Sequence, residues 1–574
     1  MNKTIRSRHS DEKRLTVSDL PLLDRIYKNR GVTDSEELDY QFKNLLPFEL
    51  LKDIDKAVAL LYQALQQQQK ILIVGDFDAD GATSSALGKL VLTAFGAKNV
   101  EYLVPNRFDY GYGLTPELVE VAKQMSPDLI ITVDNGISSL KGVENAKQSG
   151  IKVLITDHHL AGELLPNADA IVNPNQPDDQ FPSKNLAGVG VVFYLLLALR
   201  SHLREKNWFN DNHIEEPNLA HYLDIVALGT VADVVQLDRN NRLLVHHGLK
   251  LIRAGRCRPG ISALLKLAKR QQHKVVATDL GFAVGPRLNA AGRLDDMGLG
   301  IECLLTHDAI KASEYADILH SLNSERQQVE KEMQEEAVNK LSLDSTQEIS
   351  FHNSVCLYES HWHQGVVGLI ASRIKEKLNR PTIIFANADE TTLKGSARSV
   401  PQVHIRDVLV LVDTRYPNLI DKFGGHAMAA GLSLAKDKFN VFQKAFDEAV
   451  ENILNGKSID NIIETDGQLK DEEFSLDTVH QLAMAGPFGQ GFPEPLFDDE
   501  FEVKASRIVG GQHLKLTLHK AGLVSPIEAI AFRVDVEKWS SPSQYIRAVF
   551  KPDINEYYNS PELQLIIYYL EDAN

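Results

Sequence analysis

The strongest constraint on the fold is a set of short apolar runs that each end in acid. KILIVG runs into Asp76, Asp78 and Asp80, DLIITV into Asp134, and KVLIT into Asp157-His158-His159. Each run is β-branched and nearly unbroken, the pattern of strands buried on both faces of a parallel sheet. The stretches SSALGKLVLTAFG, GLTPELVEVAKQM and SLKGVENAKQSG read as helices, so the region alternates strand and helix. In such sheets ligands bind beyond the carboxyl ends of the strands. The three acidic clusters therefore point at one crevice.

Asp76, Asp78 and Asp80 occupy alternate positions. In an extended strand alternate side chains share a face, so three carboxylates are expected to converge. Converging carboxylates repel unless a cation sits between them, and the nearby imidazoles suit Mn²⁺ or a similar borderline ion better than Ca²⁺. A lone Asp-x-Asp at a strand end is commonly a solvated turn; three segments aimed at one point argue for a metal. HYLDIVALGTVADVVQL adds Asp224 and Asp233, both beside apolar residues at helical spacing. A buried carboxylate needs a metal, a base or a helix cap. Asp224 is read as the ligand and Asp233 as a supporting or capping residue. The chain is expected to be a metal-dependent hydrolase.

These segments resemble the DHH phosphoesterase superfamily, named for its Asp-His-His motif. GDFDADGATSSA, VDNGIS, TDHHL and DIVALGTVADVV match its first four motifs in order, while GSARS and FGGHAMAAGL resemble its DHHA1 half. GPFGQGFPEPLF matches a segment near the C-terminal domain of the branch of bacterial single-strand-specific 5′-to-3′ DNA exonucleases. The resemblance runs from about residue 50 to the end.

The chain has 574 residues and a net charge of −17, which at first argues against a polyanionic substrate. From Arg242 to Arg293, however, there are eleven Lys and Arg against one acid, Asp279. Such asymmetry keeps a protein soluble while presenting a phosphate-binding track; for the lysines of the amphipathic ISALLKLAKRQQ a solvated helix face is the lesser alternative. Arg287 and Arg293 flank small residues that would let a ligand backbone approach. Cys257, Cys303 and Cys356 lie far apart, without metal-ligand spacing, as expected in a reducing compartment. The basic start has no apolar run behind it, and no stretch of 18 apolar residues occurs, so a cytoplasmic protein without membrane contact is expected.

The expected architecture is α/β: an N-terminal appendage (1–50), a parallel-sheet DHH catalytic domain (51–245), a basic helical connector (246–345), a smaller α/β DHHA1 domain (346–455), and a linker with a C-terminal β-barrel (456–574). The connector should end in a long helix from about Lys311 to Leu341, with Ile318, Leu322, Val329 and Met333 on its apolar stripe. The last hundred residues read as short strands around a hairpin at Gly510-Gly511, a five-stranded barrel that the resemblance makes an OB-fold. Phe532, Phe550, Tyr557 and Tyr558 offer stacking faces, or fill the barrel core.

The resemblance implies further roles. Ser396 and Arg398, on one face of a strand, would hold a terminal 5′ phosphate. Gly424 and Gly425 would let a phosphate approach, with His426 donating to the scissile group, though a turn explains the glycines almost as well. Arg107 and Tyr112 would take phosphate and a base. Asp78, Asp80, Asp134, His158 and Asp224 would hold two divalent ions, Mn²⁺ or Mg²⁺, about 4 Å apart, with Asp134 bridging. Asp76 and His159 lie close by, and His159 offsets developing charge as water attacks phosphorus in line. The expected activity is removal of 5′ mononucleotides from single-stranded DNA in repair and recombination, with single-stranded-DNA-binding protein and a RecQ-type helicase as implied partners. Two alternatives stand beside it: a DHH phosphodiesterase acting on small molecules or oligoribonucleotides, and a non-catalytic single-strand-binding clamp.

Overall fold

The computed structural model describes residues 3–8, 16–105, 110–344, 353–555 and 560–573. The chain divides into two compact units, Met1–Thr4 with Ser321–Ile463, and Ile5–His320 with Glu464–Asn574. A two-stranded ladder joins Thr4–Ser7 (β1) to Ile462–Thr465 (β12). No helix among the described residues is long and apolar enough to cross a membrane.

The larger unit is built on a parallel sheet of Ile71–Gly75 (β2), Val100–Leu103 (β3), Leu129–Val133 (β4), Lys152–Thr156 (β5) and Ala170–Val172 (β6), in the order β3-β2-β4-β5-β6. β2 and β4 are buried at every residue, because helices cover both faces. From β2 the chain goes to β3 on one side and then crosses to β4 on the other. The carboxyl ends of β2 and β4 thus flank a switch point, where such sheets leave a crevice.

The same unit carries a closed barrel of Phe497–Val509 (β13), His513–His519 (β14), Ile527–Ala531 (β15), Tyr545–Asn555 (β16) and Glu562–Asp572 (β17), in the order β13-β14-β15-β17-β16. Gly510 and Gly511, both at positive φ, turn β13 into β14, where Val509 pairs with His513. Closure removes the exposed edges. Phe550 is fully buried in the barrel core, whereas Phe532 is exposed against His513. Tyr557 and Tyr558 lie outside the described residues.

The smaller unit contains Val355–Tyr358 (β7), Thr382–Asn387 (β8), Thr392–Arg398 (β9), Lys422–Gly425 (β10) and Ala429–Ala435 (β11), in the order β10-β11-β9-β8-β7. Only the β7–β8 pair is parallel. The long helix runs from Ala309 to Asp344, and its buried stripe is only partly the expected one: Met333 is buried and Val329 packs half-buried beside it. Ile318 is exposed, and the buried positions include Asn323, Arg326 and Glu330. These polar groups satisfy one another: Arg326 donates to Glu330 (2.9 Å) and to Asn323 (3.0 Å). Hydropathy alone cannot find a stripe whose centre is polar and paired.

Candidate metal centre

β2 ends at Gly75, and the chain turns at once into helix α1 (Ala79–Ala94). Asp76 sits in the turn. Asp78 caps the helix, accepting from the amides of Asp80 (2.9 Å) and Gly81 (3.1 Å), and Asp80 lies in the first helical turn. The three carboxylates therefore do not line one strand face, contrary to the alternation argument. They converge because a strand gives way to a helix N-terminus, where free amides and the helix dipole favour anions. Gly81 permits the turn, since a Cβ there would lie 2.4 Å from the Asp76 carbonyl oxygen.

Ligand-capable atoms form overlapping groups, each within 4.8 Å: Asp76, Asp78 and Asp134; Asp134, His158 and His159; and Asp80, His158 and Asp233. Asp134 leaves β4 in the left-handed region at φ 61. Asp80 reaches across to helix α2 (Gly188–Glu205) and accepts from the amides of Gly188 (2.6 Å) and Val189 (2.9 Å). Gly188 must be bare, because a Cβ there would stand 2.6 Å from that of Asp134.

The electrostatics of this cluster call for a cation. Burial, followed by the charge of Asp233, pushes the Asp80 carboxyl up to about 7. Burial and the charge of Asp78 likewise raise Asp233 to about 7, and burial with neighbouring carboxylates lifts Asp134 well above the usual range. Burial and the adjacent His159 push the His158 imidazole down. Asp134 Oδ1 and His158 Nε2 lie 3.1 Å apart, both buried, and neither makes a hydrogen bond. Carboxylate oxygens with one imidazole nitrogen form a donor set that fits Mn²⁺ or Mg²⁺.

Asp157, the first residue of the DHH motif, is engaged differently. It accepts from the amides of Ile137 (2.9 Å), His158 (2.7 Å) and His159 (3.1 Å), and lies 2.7 Å from His159 Nδ1. It orients the two histidines. Burial alone would lower the His159 imidazole, but the Asp157 carboxylate outweighs it and raises the ring to about 9. Tyr112 donates to the Asp134 carbonyl (3.2 Å), and its half-exposed ring packs edge-on to His159. Arg107 lies outside the described residues.

Asp224 is not brought to this cluster, which corrects its reading as a ligand. It sits in the first turn of helix α3 (Leu223–Ala232), fully buried, and accepts the amide of Arg258 (2.6 Å). Asp233, at the opposite end of that helix, is the carboxylate that lies within reach of Asp80 and His158. Helix α5 (Gly285–Leu294), following α4 (Arg239–Arg253), explains the small residues around Arg287 and Arg293. A Cβ on Gly292 would come within 1.8 Å of the Phe77 carbonyl oxygen, and Asn289 accepts the Ala79 amide (2.7 Å). The backbone that approaches here is the metal loop itself. Neither residue was anticipated from sequence. Arg287 and Arg293 remain half-exposed, Arg287 donating to the Ala283 carbonyl.

In the smaller unit, Ser396 and Arg398 do share one face of β9, and Arg398 donates to Ser396 Oγ (3.1 Å). A Cβ on Gly368, in the first turn of helix α7 (Val367–Leu378), would lie 3.0 Å from Ser396 Oγ and 3.2 Å from Arg398 Nη2; α6 is the long helix Ala309–Asp344. Burial lowers the Arg398 guanidinium, and among the described residues no carboxylate pairs with it. Gly425, at φ +147, is explained by its hairpin, since a Cβ would meet the Ala429 carbonyl at 2.4 Å. Gly424 faces open space, and the exposed His426 donates its amide to Ala429 (2.8 Å).

The DHH family, N-terminal domain, matches residues 70–230, the DHHA1 domain 349–452 and the RecJ OB domain 465–569. The single-stranded-DNA-specific exonuclease RecJ of Salmonella typhimurium is 50% identical over 572 residues, spanning 98% of both chains. The chain belongs to the RecJ family. The RecJ of Escherichia coli is likewise 50% identical, over 98% of each chain. The crystal structure of Thermus thermophilus RecJ in complex with Mn²⁺ superposes with a TM-score of 0.80 at 28% identity, covering 97% of this chain and 77% of that one. Its complex with Mg²⁺ gives 0.75.

Proposed function

We propose that the chain is a divalent-metal-dependent exonuclease that hydrolyses single-stranded DNA from its 5′ end to mononucleotides. The carrying observation is the buried and half-buried cluster of Asp76, Asp78, Asp80, Asp134, His158 and Asp233, in which the buried atoms Asp134 Oδ1 and His158 Nε2 are left without hydrogen bonds. Two ions would be held there, one among Asp76, Asp78 and Asp134, the other among Asp80, His158 and Asp233. When bound, such ions supply Lewis-acid charge to the phosphoryl oxygens and make water more acidic. The chain's own groups do the rest. Asp157 fixes the His159 ring beside Asp134 and His158, where it would offset charge developing on a bound phosphate. Tyr112 borders the same ring with an exposed face for a base.

A hydroxyl, an unpaired guanidinium and the bare first turn of helix α7 converge at Ser396, Arg398 and Gly368, a donor set suited to a terminal phosphate. That supports the 5′ polarity. Single-stranded-DNA-binding protein and a RecQ-type helicase remain proposed partners. The test is digestion of single strands labelled at either end, with Mn²⁺ or with chelator, by the parent and by Asp134→Ala. Loss of the 5′ label first, abolished by chelation and by the substitution, is expected. Release from the 3′ end, or near-normal turnover of Asp134→Ala, would sink the reading.

A further inference from the structure

The segment GPFGQGFPEPLF takes no part in the chemistry described above, yet it packs against Gln236 and Leu237, just past Asp233 in the chain. It forms a tight hairpin in which the Gly489 amide donates to the Phe492 carbonyl (2.8 Å) and the Phe492 amide to the Gly489 carbonyl (3.1 Å), with Gly491 at φ +71. The hairpin lies on the residues that follow Asp233. The Leu237 amide donates to the Gln490 carbonyl (2.8 Å), and a Cβ on Gly489 would stand 2.7 Å from Leu237 Cδ1. Arg242 donates to the Leu237 carbonyl (3.0 Å) and stacks 4.3 Å over the Phe492 ring. Arg30 donates to the Pro493 carbonyl (2.7 Å) and is itself held by the fully buried Asp466.

The turn gripped in this way is strained. Val234, next to Asp233, has φ 63, a conformation that a β-branched residue adopts only when its surroundings impose it. From α4, Asn241 donates to the Gln236 carbonyl (2.8 Å), and Asp238 is anchored by Ser183 (2.6 Å). The hairpin supplies the opposing contact. We propose that the hairpin Gly489–Phe492 is a positioning element for Asp233, so that the segment leading into the barrel helps set the geometry of the metal centre. The proposal rests on Asp233 being a metal ligand.

The experiment is calorimetric titration of the full-length protein with Mn²⁺ alone, comparing the parent, Asp233→Asn, Gly489→Ala, and Gly489→Ala combined with Leu237→Ala. Outer contacts of metal ligands typically change affinity by roughly ten- to a hundred-fold. Gly489→Ala should weaken Mn²⁺ binding by about tenfold, and Leu237→Ala, by making room for the added methyl, should restore most of it. Phe550→Leu, in the barrel core, serves as a variant destabilised away from the hairpin and should leave Mn²⁺ affinity unchanged. If Asp233→Asn binds Mn²⁺ like the parent, the ligand reading fails. If Asp233→Asn binds weakly while Gly489→Ala binds normally, the positioning proposal fails alone. Equal weakening in Phe550→Leu, or no rescue in the double variant, would also overturn it.

Discussion

Asp224 and Asp233 show where residue-level reading reaches its limit. Both flank apolar residues in the same segment, and composition cannot say which end of the helix faces the cluster. The structure separates them: Asp224 satisfies the Arg258 amide, while Asp233 lies within reach of Asp80 and His158. Asp224→Ala should leave the part-buried Arg258 amide without its acceptor and cost about 1 kcal/mol of stability, with Mn²⁺ affinity preserved. Asp233→Asn should do the reverse. Denaturant unfolding and metal titration of both variants distinguish the roles, and a loss of Mn²⁺ affinity in Asp224→Ala alone would reverse the assignment. Arg398 offers a second comparison. Its half-buried guanidinium donates to Ser396 Oγ and to the Ala397 carbonyl and has no carboxylate partner among the described residues, which leaves it suited to an anion. Arg398→Ala should reduce the preference for 5′-phosphorylated over 5′-hydroxyl ends, whereas an equal loss on both ends would make the residue structural.

At the scale of elements, the strands were legible because each apolar run is buried on both faces and ends in chemistry. What joins them was not. Alternation carries the strand through the acidic loop after β2, although Asp78 is a helix cap, and periodicity gives no warning where a strand stops one residue before its ligands. The support of that loop by α5 was equally hidden, because it depends on a missing side chain at Gly292 and one amide partner at Asn289. Gly292→Ala must displace either the helix or the Phe77 carbonyl. Overpacking of this kind costs about 1–3 kcal/mol, and here the strain falls on the metal loop. Activity should therefore drop by more than the stability loss accounts for, measured as turnover at saturating Mn²⁺ against the unfolding free energy. Asn289→Ala, which removes one hydrogen bond worth about 1 kcal/mol, should act in the same direction with little change in stability. Parallel losses in both quantities would make α5 a packing element only.

For the whole molecule, the basic track is thinner than the count of charges suggested. Arg242 is buried beneath Phe492, Arg253 donates to the Val275 carbonyl, and Arg270 pairs with Asp279. Lys250, Arg256, Lys266 and Lys269 remain exposed. Binding to single strands should still weaken with salt, at a log-log slope of roughly −0.7 per phosphate contacted. The barrel region is bound into the catalytic unit more closely than a separate strand-gripping module would be. Asp466 pairs with Arg30, both side chains fully excluded from solvent, and the following hairpin grips the turn after Asp233. Truncation before Glu464 would remove Asp466, the Pro493 carbonyl and the Phe492 ring that hold Arg30, would uncover the buried Tyr27 that donates to the Ala485 carbonyl, and would release the strained Val234 turn. The shortened protein should therefore melt well below the parent and bind Mn²⁺ weakly, and it should hydrolyse even short oligonucleotides poorly. If it instead kept the parent's melting temperature and Mn²⁺ affinity, losing only its grip on long strands, the barrel region would be a detachable binding module and the coupling to Asp233 would be wrong.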